Sequence, residues 1–271
     1  MSDANYYDRF ADHSEQPKEQ KQKSVVKDTG FSLAKVFGYM FIGLMITASI
    51  ALGLGAVFGN ILLKDAPTET EARLQGNAAI VLLVLLIGSL IGIIILSFVV
   101  PITVARGKSS VMVPAIIYTV LMGIMLSSIA IFVPWYLLGL TFGITALVFG
   151  LMALIALLSK SRLNGLAIAA IGLLVGAGIL SMVLWIMMLT NVITGNGGYP
   201  IWLYWVITLV VFAAIMLITI WDMARIKAIA QKGEMTNNIS LYCAFILYND
   251  FINIFLRILR IVLYIFARSR N

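Results

Sequence analysis

Apolar residues dominate this chain in long blocks separated by short polar breaks, and the lengths of those blocks set the first expectation. A helix of about 20 residues crosses the ~30 Å hydrocarbon core of a bilayer at a rise of about 1.5 Å per residue. Runs of that length or more extend from about Leu33 to Leu63, Ala78 to Ala105, Val111 to Val133, Trp135 to Leu158 and Gly165 to Thr190. A sixth starts after the break Gly195 to Pro200 and continues past Asp222 to Ala230, until Gly233 stops it. After a turn over about Gly233 to Asn238, a seventh runs from Leu241 to Phe266. The pattern predicts an all-α polytopic membrane protein, a seven-helix bundle over residues 33–271. Residues 1–32 are polar and of mixed charge, rich in Lys and Gln from Gln16 to Lys27, and read as a disordered cytoplasmic tail. The first apolar run follows too long a polar stretch, and is itself too long, for a cleaved signal peptide.

The seventh segment differs from the others. It carries Asn249, Asp250, Asn253, Arg257 and Arg260, and a charge at a helix centre costs about 2.5 to 3.5 kcal/mol on insertion scales. At about 100° per residue the five fall within a sector roughly 100° wide, together with Tyr242 and Tyr264. Phe251, Ile252, Phe255, Leu256, Ile258 and Leu259 cover the remainder. Such a polar stripe belongs in the interior of a helix bundle.

Composition agrees with the pattern: 61% of residues are hydrophobic and 11% charged, where a soluble domain has about 25% charged. The formal charge of +7 follows from Lys and Arg that flank the apolar runs, so it reports membrane topology and not nucleic-acid binding. The basic tail, Arg106 with Lys108, Lys160 with Arg162, and Arg225 with Lys227 and Lys232 fall on one side if there are seven crossings. The amino terminus is therefore expected inside and the carboxyl terminus on the opposite side, with a bacterial plasma membrane as the expected location. No charge occurs from Ser109 to Ser159 or from Leu163 to Trp221, so charge chemistry lies at Asp222 and beyond, or at helix ends. The single Cys243 excludes an internal disulfide and a cysteine metal cage, and His13 reads as a solvated residue of the tail. Glycines four apart, Gly55 with Gly59, Gly88 with Gly92, Gly139 with Gly143 and Gly172 with Gly176, predict close helix contacts.

Asp222 and Asp250 each stand 14 residues from Thr236, the middle of the expected turn. Equal distance from the turn of an antiparallel hairpin means equal depth, so the two carboxyls can face each other. Close carboxylates at a low-dielectric site share a proton and titrate as a unit. Protonated, the pair ties the last two helices together; deprotonated, it repels and offers hard oxygen ligands to a cation such as calcium. The same spacing also fits separate ion pairs, Asp222 with Arg225 and Asp250 with Arg257, with Asn249 and Asn253 satisfying the rest.

The run Leu247, Tyr248, Asn249, Asp250, Phe251, Ile252, Asn253, Ile254, Phe255, Leu256, Arg257, Ile258, Leu259, Arg260 resembles the last-helix signature of the transmembrane Bax inhibitor motif family, L-Y-x-D-F-I-N-L-F-L-x-L-L-R. Trp221 to Lys227 resembles that family's Y-D-T-Q-K-I-K, and Tyr118 to Ile129 its third helix. The resemblance covers roughly Phe31 to the end. It implies a bundle with the last helix near the middle and a pH-sensitive calcium leak gated by Asp222 and Asp250, with calcium as transported ion and no bound cofactor. It also implies an arginine latch at the end of the second helix, for which Arg106 is the nearest match although the usual double arginine is missing. Asn249 stands where the family commonly has an apolar residue. An intramembrane aspartyl protease also needs two facing aspartates, but its G-x-G-D motif is absent before Asp250. A third reading is a non-conducting regulator that contacts other membrane proteins. The expected partners are lipid, calcium and protons; the sequence leaves oligomeric state open.

Overall fold

The computed structural model describes residues 4–63, 69–106, 110–158, 164–189 and 201–269. Among these it forms seven helices and no strand: α1 (Ala4–Leu62), α2 (Glu69–Arg106), α3 (Met112–Phe132), α4 (Trp135–Leu158), α5 (Asn164–Leu189), α6 (Ile201–Gln231) and α7 (Asn237–Ser269). Five contain apolar stretches long enough to cross a bilayer: Gly30–Leu62, Arg73–Arg106, Met112–Phe132, Trp135–Leu158 and Trp205–Gln231. In α5 the described apolar stretch is Ile168–Ile179, while α7 carries the polar residues. Large apolar side chains face outward along α2, among them Ile94, Ile95 and Phe98. Water would not tolerate such a surface, and lipid requires it.

The starts of α1, α2 and α7 lie outside the predicted bounds, α2 beginning at Glu69 and not near Ala78. α1 begins at Ala4, so helical backbone continues through the stretch whose composition favours disorder; Lys, Gln and Glu cost little in a helix. α7 begins at Asn237, because Thr236 caps it: the Ile239 amide donates to Thr236 Oγ1 at 3.3 Å and the Ser240 amide to the Thr236 carbonyl at 2.8 Å. Gly233 ends the preceding helix as expected, with φ of 71°, a conformation that a side chain resists.

α7 touches α1, α2, α3, α4 and α6. Tyr248, Leu247 and Ile254 of α7 are buried with Val36 of α1, Tyr118 of α3 and Met152 of α4 in one continuous core. The closest approach is between α1 and α3. A Cβ at Gly55 would stand 2.7 Å from the Ala130 Cβ, and one at Gly123 would stand 2.8 Å from the Ile50 Cβ and 3.0 Å from the Thr47 carbonyl oxygen. Of the glycine pairs named above, only Gly55 and Gly92 face a neighbouring helix this closely. Gly59, Gly88, Gly139, Gly143, Gly172 and Gly176 have open space where a Cβ would go. A spacing of four places two glycines on one face but does not say that a helix lies against it.

Candidate functional site

The α6–α7 hairpin brings Asp222 and Asp250 into one region, where both are buried at 9% exposure. Asp222 acts electrostatically on Asp250, and Thr219, whose hydroxyl donates to the Ile215 carbonyl of its own helix at 2.9 Å, lies beside Asp250. Asp250 Oδ2 is buried without a hydrogen-bond partner, which leaves a strong acceptor unmet.

The bounds of the two helices shift the centre of the turn from which depth is counted. α6 ends at Gln231 and α7 starts at Asn237, so the turn is centred at position 234 and not at Thr236. By that count Asp250 falls closer in level to Thr219 than to Asp222. Thr219 and Asp222 are three apart and share a face of α6. Thr219, fully buried, therefore completes the site beside the two acids. A hydroxyl three residues before the acid in an otherwise apolar helix was the available signal.

The alternative ion pairs fare unequally. Arg225 does act electrostatically on Asp222, but it is exposed and its guanidinium lies 5.5 Å from the centre of the Trp221 ring. Arg257 stands seven residues, roughly 10 Å, along the same helix from Asp250, whose Oδ2 has no hydrogen-bond partner.

The polar stripe of α7 is not uniformly interior. Asp250 is buried, Asn249 and Arg257 are half-buried, and Asn253 and Arg260 are exposed. Arg106 is exposed as the last residue of α2. Asn249 turns away from the acids: the Tyr118 hydroxyl of α3 donates to its Oδ1 at 2.7 Å. One residue earlier, the Tyr248 hydroxyl lies 2.6 Å from Thr47 Oγ1 of α1, and that hydroxyl in turn donates to the Thr119 carbonyl of α3 at 3.0 Å. With its proton so committed, Thr47 accepts from Tyr248. One residue after Asp250, the Phe251 ring meets Phe142 and Phe149 of α4, with centroids 5.3 Å and 5.5 Å apart. Four consecutive residues thus address α1, α3, α6 and α4 in order, as steps of about 100° demand of a helix enclosed by others. Thr47, whose hydroxyl joins Tyr248 to the Thr119 carbonyl, carries no charge and no motif, so nothing in the linear pattern marks it.

A multi-pass α-helical membrane protein with an acidic pair buried in its last hairpin is the class that these features define. The model of the family described as "Inhibitor of apoptosis-promoting Bax1" matches residues 31–269, nearly the whole helical region, and the chain belongs to that Bax inhibitor family. It is similar to the inner membrane protein YbhL of Escherichia coli K12, at 28% identity over 235 residues, covering 84% of this chain and 89% of the relative. The YbhL of Escherichia coli O6:H1 matches over the same span at the same 28% identity.

Proposed function

We propose that this protein is a pH-sensitive calcium leak of a bacterial plasma membrane, gated by Asp222 and Asp250. In this reading all seven helices cross the bilayer, α7 is the central element, and no catalytic step is assigned to the acids. The observation that carries it is the buried acidic pair on adjacent helices with Asp250 Oδ2 unmet. Inside a bilayer such groups are expensive and are characteristic of ion and proton paths.

The chemistry runs as follows. When the pair holds a proton, the repulsion between the two carboxyls is relieved, and α6 and α7 stay together. When it is lost, two negative charges at a low-dielectric site repel and the hairpin opens. The exposed oxygens are hard ligands suited to calcium, and two carboxylates with one hydroxyl are too few to retain an ion that takes six to eight oxygens. Passage follows, and retention does not. The inner membrane location of YbhL supports the choice of membrane.

Purified protein in liposomes, with a calcium dye inside, tests the reading. Flux is expected to rise from roughly pH 6 to 8 as the shared proton leaves. Asp222→Asn and Asp250→Asn are each expected to flatten that response. Equal flux in wild type and both variants across the range rejects the gate.

A further inference from the structure

The acids make up only one side of α7. Tyr248 and Asn249 immediately precede Asp250, and each is held by a hydroxyl on a different helix: Tyr248 by Thr47 of α1 at 2.6 Å, Asn249 by Tyr118 of α3 at 2.7 Å. Tyr248 and Thr47 are 2% exposed and Tyr118 is 4% exposed, so water does not compete for these bonds. Gly43 of α1 permits the approach, since a Cβ there would stand 3.3 Å from both Thr119 Cγ2 and the Tyr248 ring. Tyr118 is braced edge-on by Phe245 and Tyr248, with ring centroids 4.8 Å and 6.2 Å away.

Apolar packing alone leaves a helix in lipid free to settle at neighbouring rotations, because most of its surface is equally greasy. Directional bonds from two successive residues, about 100° apart, remove that freedom. We infer that Tyr118 and Thr47 are positioning residues, which fix the rotation of α7 through Asn249 and Tyr248 and so hold Asp250 towards Thr219 and Asp222. This deepens the proposed gate and rests on it for its functional meaning: the α1–α3 side is a fixed bearing, and movement is confined to the α6 side. The charged and titratable groups around Asp250 fit that division. Among the described residues α6 presents Asp222 and Arg225, α7 itself carries Cys243, Tyr248 and Arg257, α3 presents Tyr118, α1 presents Thr47 and α4 presents aromatic rings.

Cys243 offers a reporter that does not depend on ion flux. It is the chain's only cysteine, lies on α7, and is 2% exposed, so its reaction with a maleimide reads how often α7 leaves its seat. In full-length protein in liposomes, Tyr118→Phe and Asn249→Leu are each expected to speed labelling about tenfold, equivalent to ~1.4 kcal/mol at 25 °C, the upper range for a net hydrogen bond. Ser128→Ala removes a hydroxyl bonded only to the Met125 carbonyl of its own helix and is expected to leave the rate unchanged. Unchanged labelling in both test variants overturns the inference, as does equal acceleration in Ser128→Ala. If Tyr118→Phe does not fold, Asn249→Leu decides alone. Wild-type flux without pH response rejects the gate while leaving the labelling result to stand on its own, so the two failures are separable.

Discussion

Asp250 shows what a single residue contributes here, because its meaning changes with the residues on either side. The sequence placed it in an apolar segment and paired it with Asp222 by counting from a turn. Both acids are buried in the α6–α7 hairpin, where Asp222 acts electrostatically on Asp250 and Thr219 lies beside it. A threonine that looks like loop is the N-cap of α7, so the turn is centred about two residues before it. Glycine gives a second lesson at this scale. Gly123 meets Ile50 and the Thr47 backbone where a Cβ would stand, whereas Gly139 faces open space. Gly123→Ala is therefore expected to destabilise the protein by about 1 to 3 kcal/mol through overpacking. Gly139→Ala is expected to be neutral or to stabilise by up to about 1 kcal/mol. Thermal denaturation in detergent compares the two directly; equal shifts would show that the α1–α3 contact is not close.

At the scale of elements, the α6–α7 hairpin was the most legible part of the chain. Gly233 marked its turn, and the residue's φ of 71° accounts for the choice. Gly233→Ala is expected to cost about 1 kcal/mol, the penalty of a left-handed conformation for a residue with a Cβ. It is also expected to increase proteolytic cutting between Gln231 and Asn237; cutting at the wild-type rate would mean that the turn tolerates another backbone path. The polar face of α7 was legible as a stripe but not as surroundings. Its periodicity grouped Asn249, Asp250, Asn253, Arg257 and Arg260 correctly on the helix, yet burial separates them, from buried Asp250 to exposed Asn253 and Arg260. Neighbouring helices cover only part of the stripe.

For the whole molecule, the inverted surface is the decisive feature. Apolar side chains along α2 and α4 face outward, so the bilayer is a component of the folded state. The basic residues predict which ends share a side: Arg106 and the Arg225 to Lys232 stretch lie with the amino terminus, and the carboxyl terminus lies opposite. Membrane-impermeant labelling of cysteines introduced singly at Lys232 and at Arg268, in a Cys243→Ala background in intact cells, is expected to modify the second and spare the first. The reverse pattern would invert the topology, and labelling of neither would place both ends inside. By itself the sequence determined the class of protein, the membrane-length runs, the hairpin and the pair of acids, because hydrophobic length and helical period are properties of a segment alone. Which helix lies against each face was decided only by the tertiary structure. Thr47, Tyr118 and Thr219 gain their roles from contacts across the bundle, and a period of 3.6 residues gives the direction of a side chain without naming what waits there.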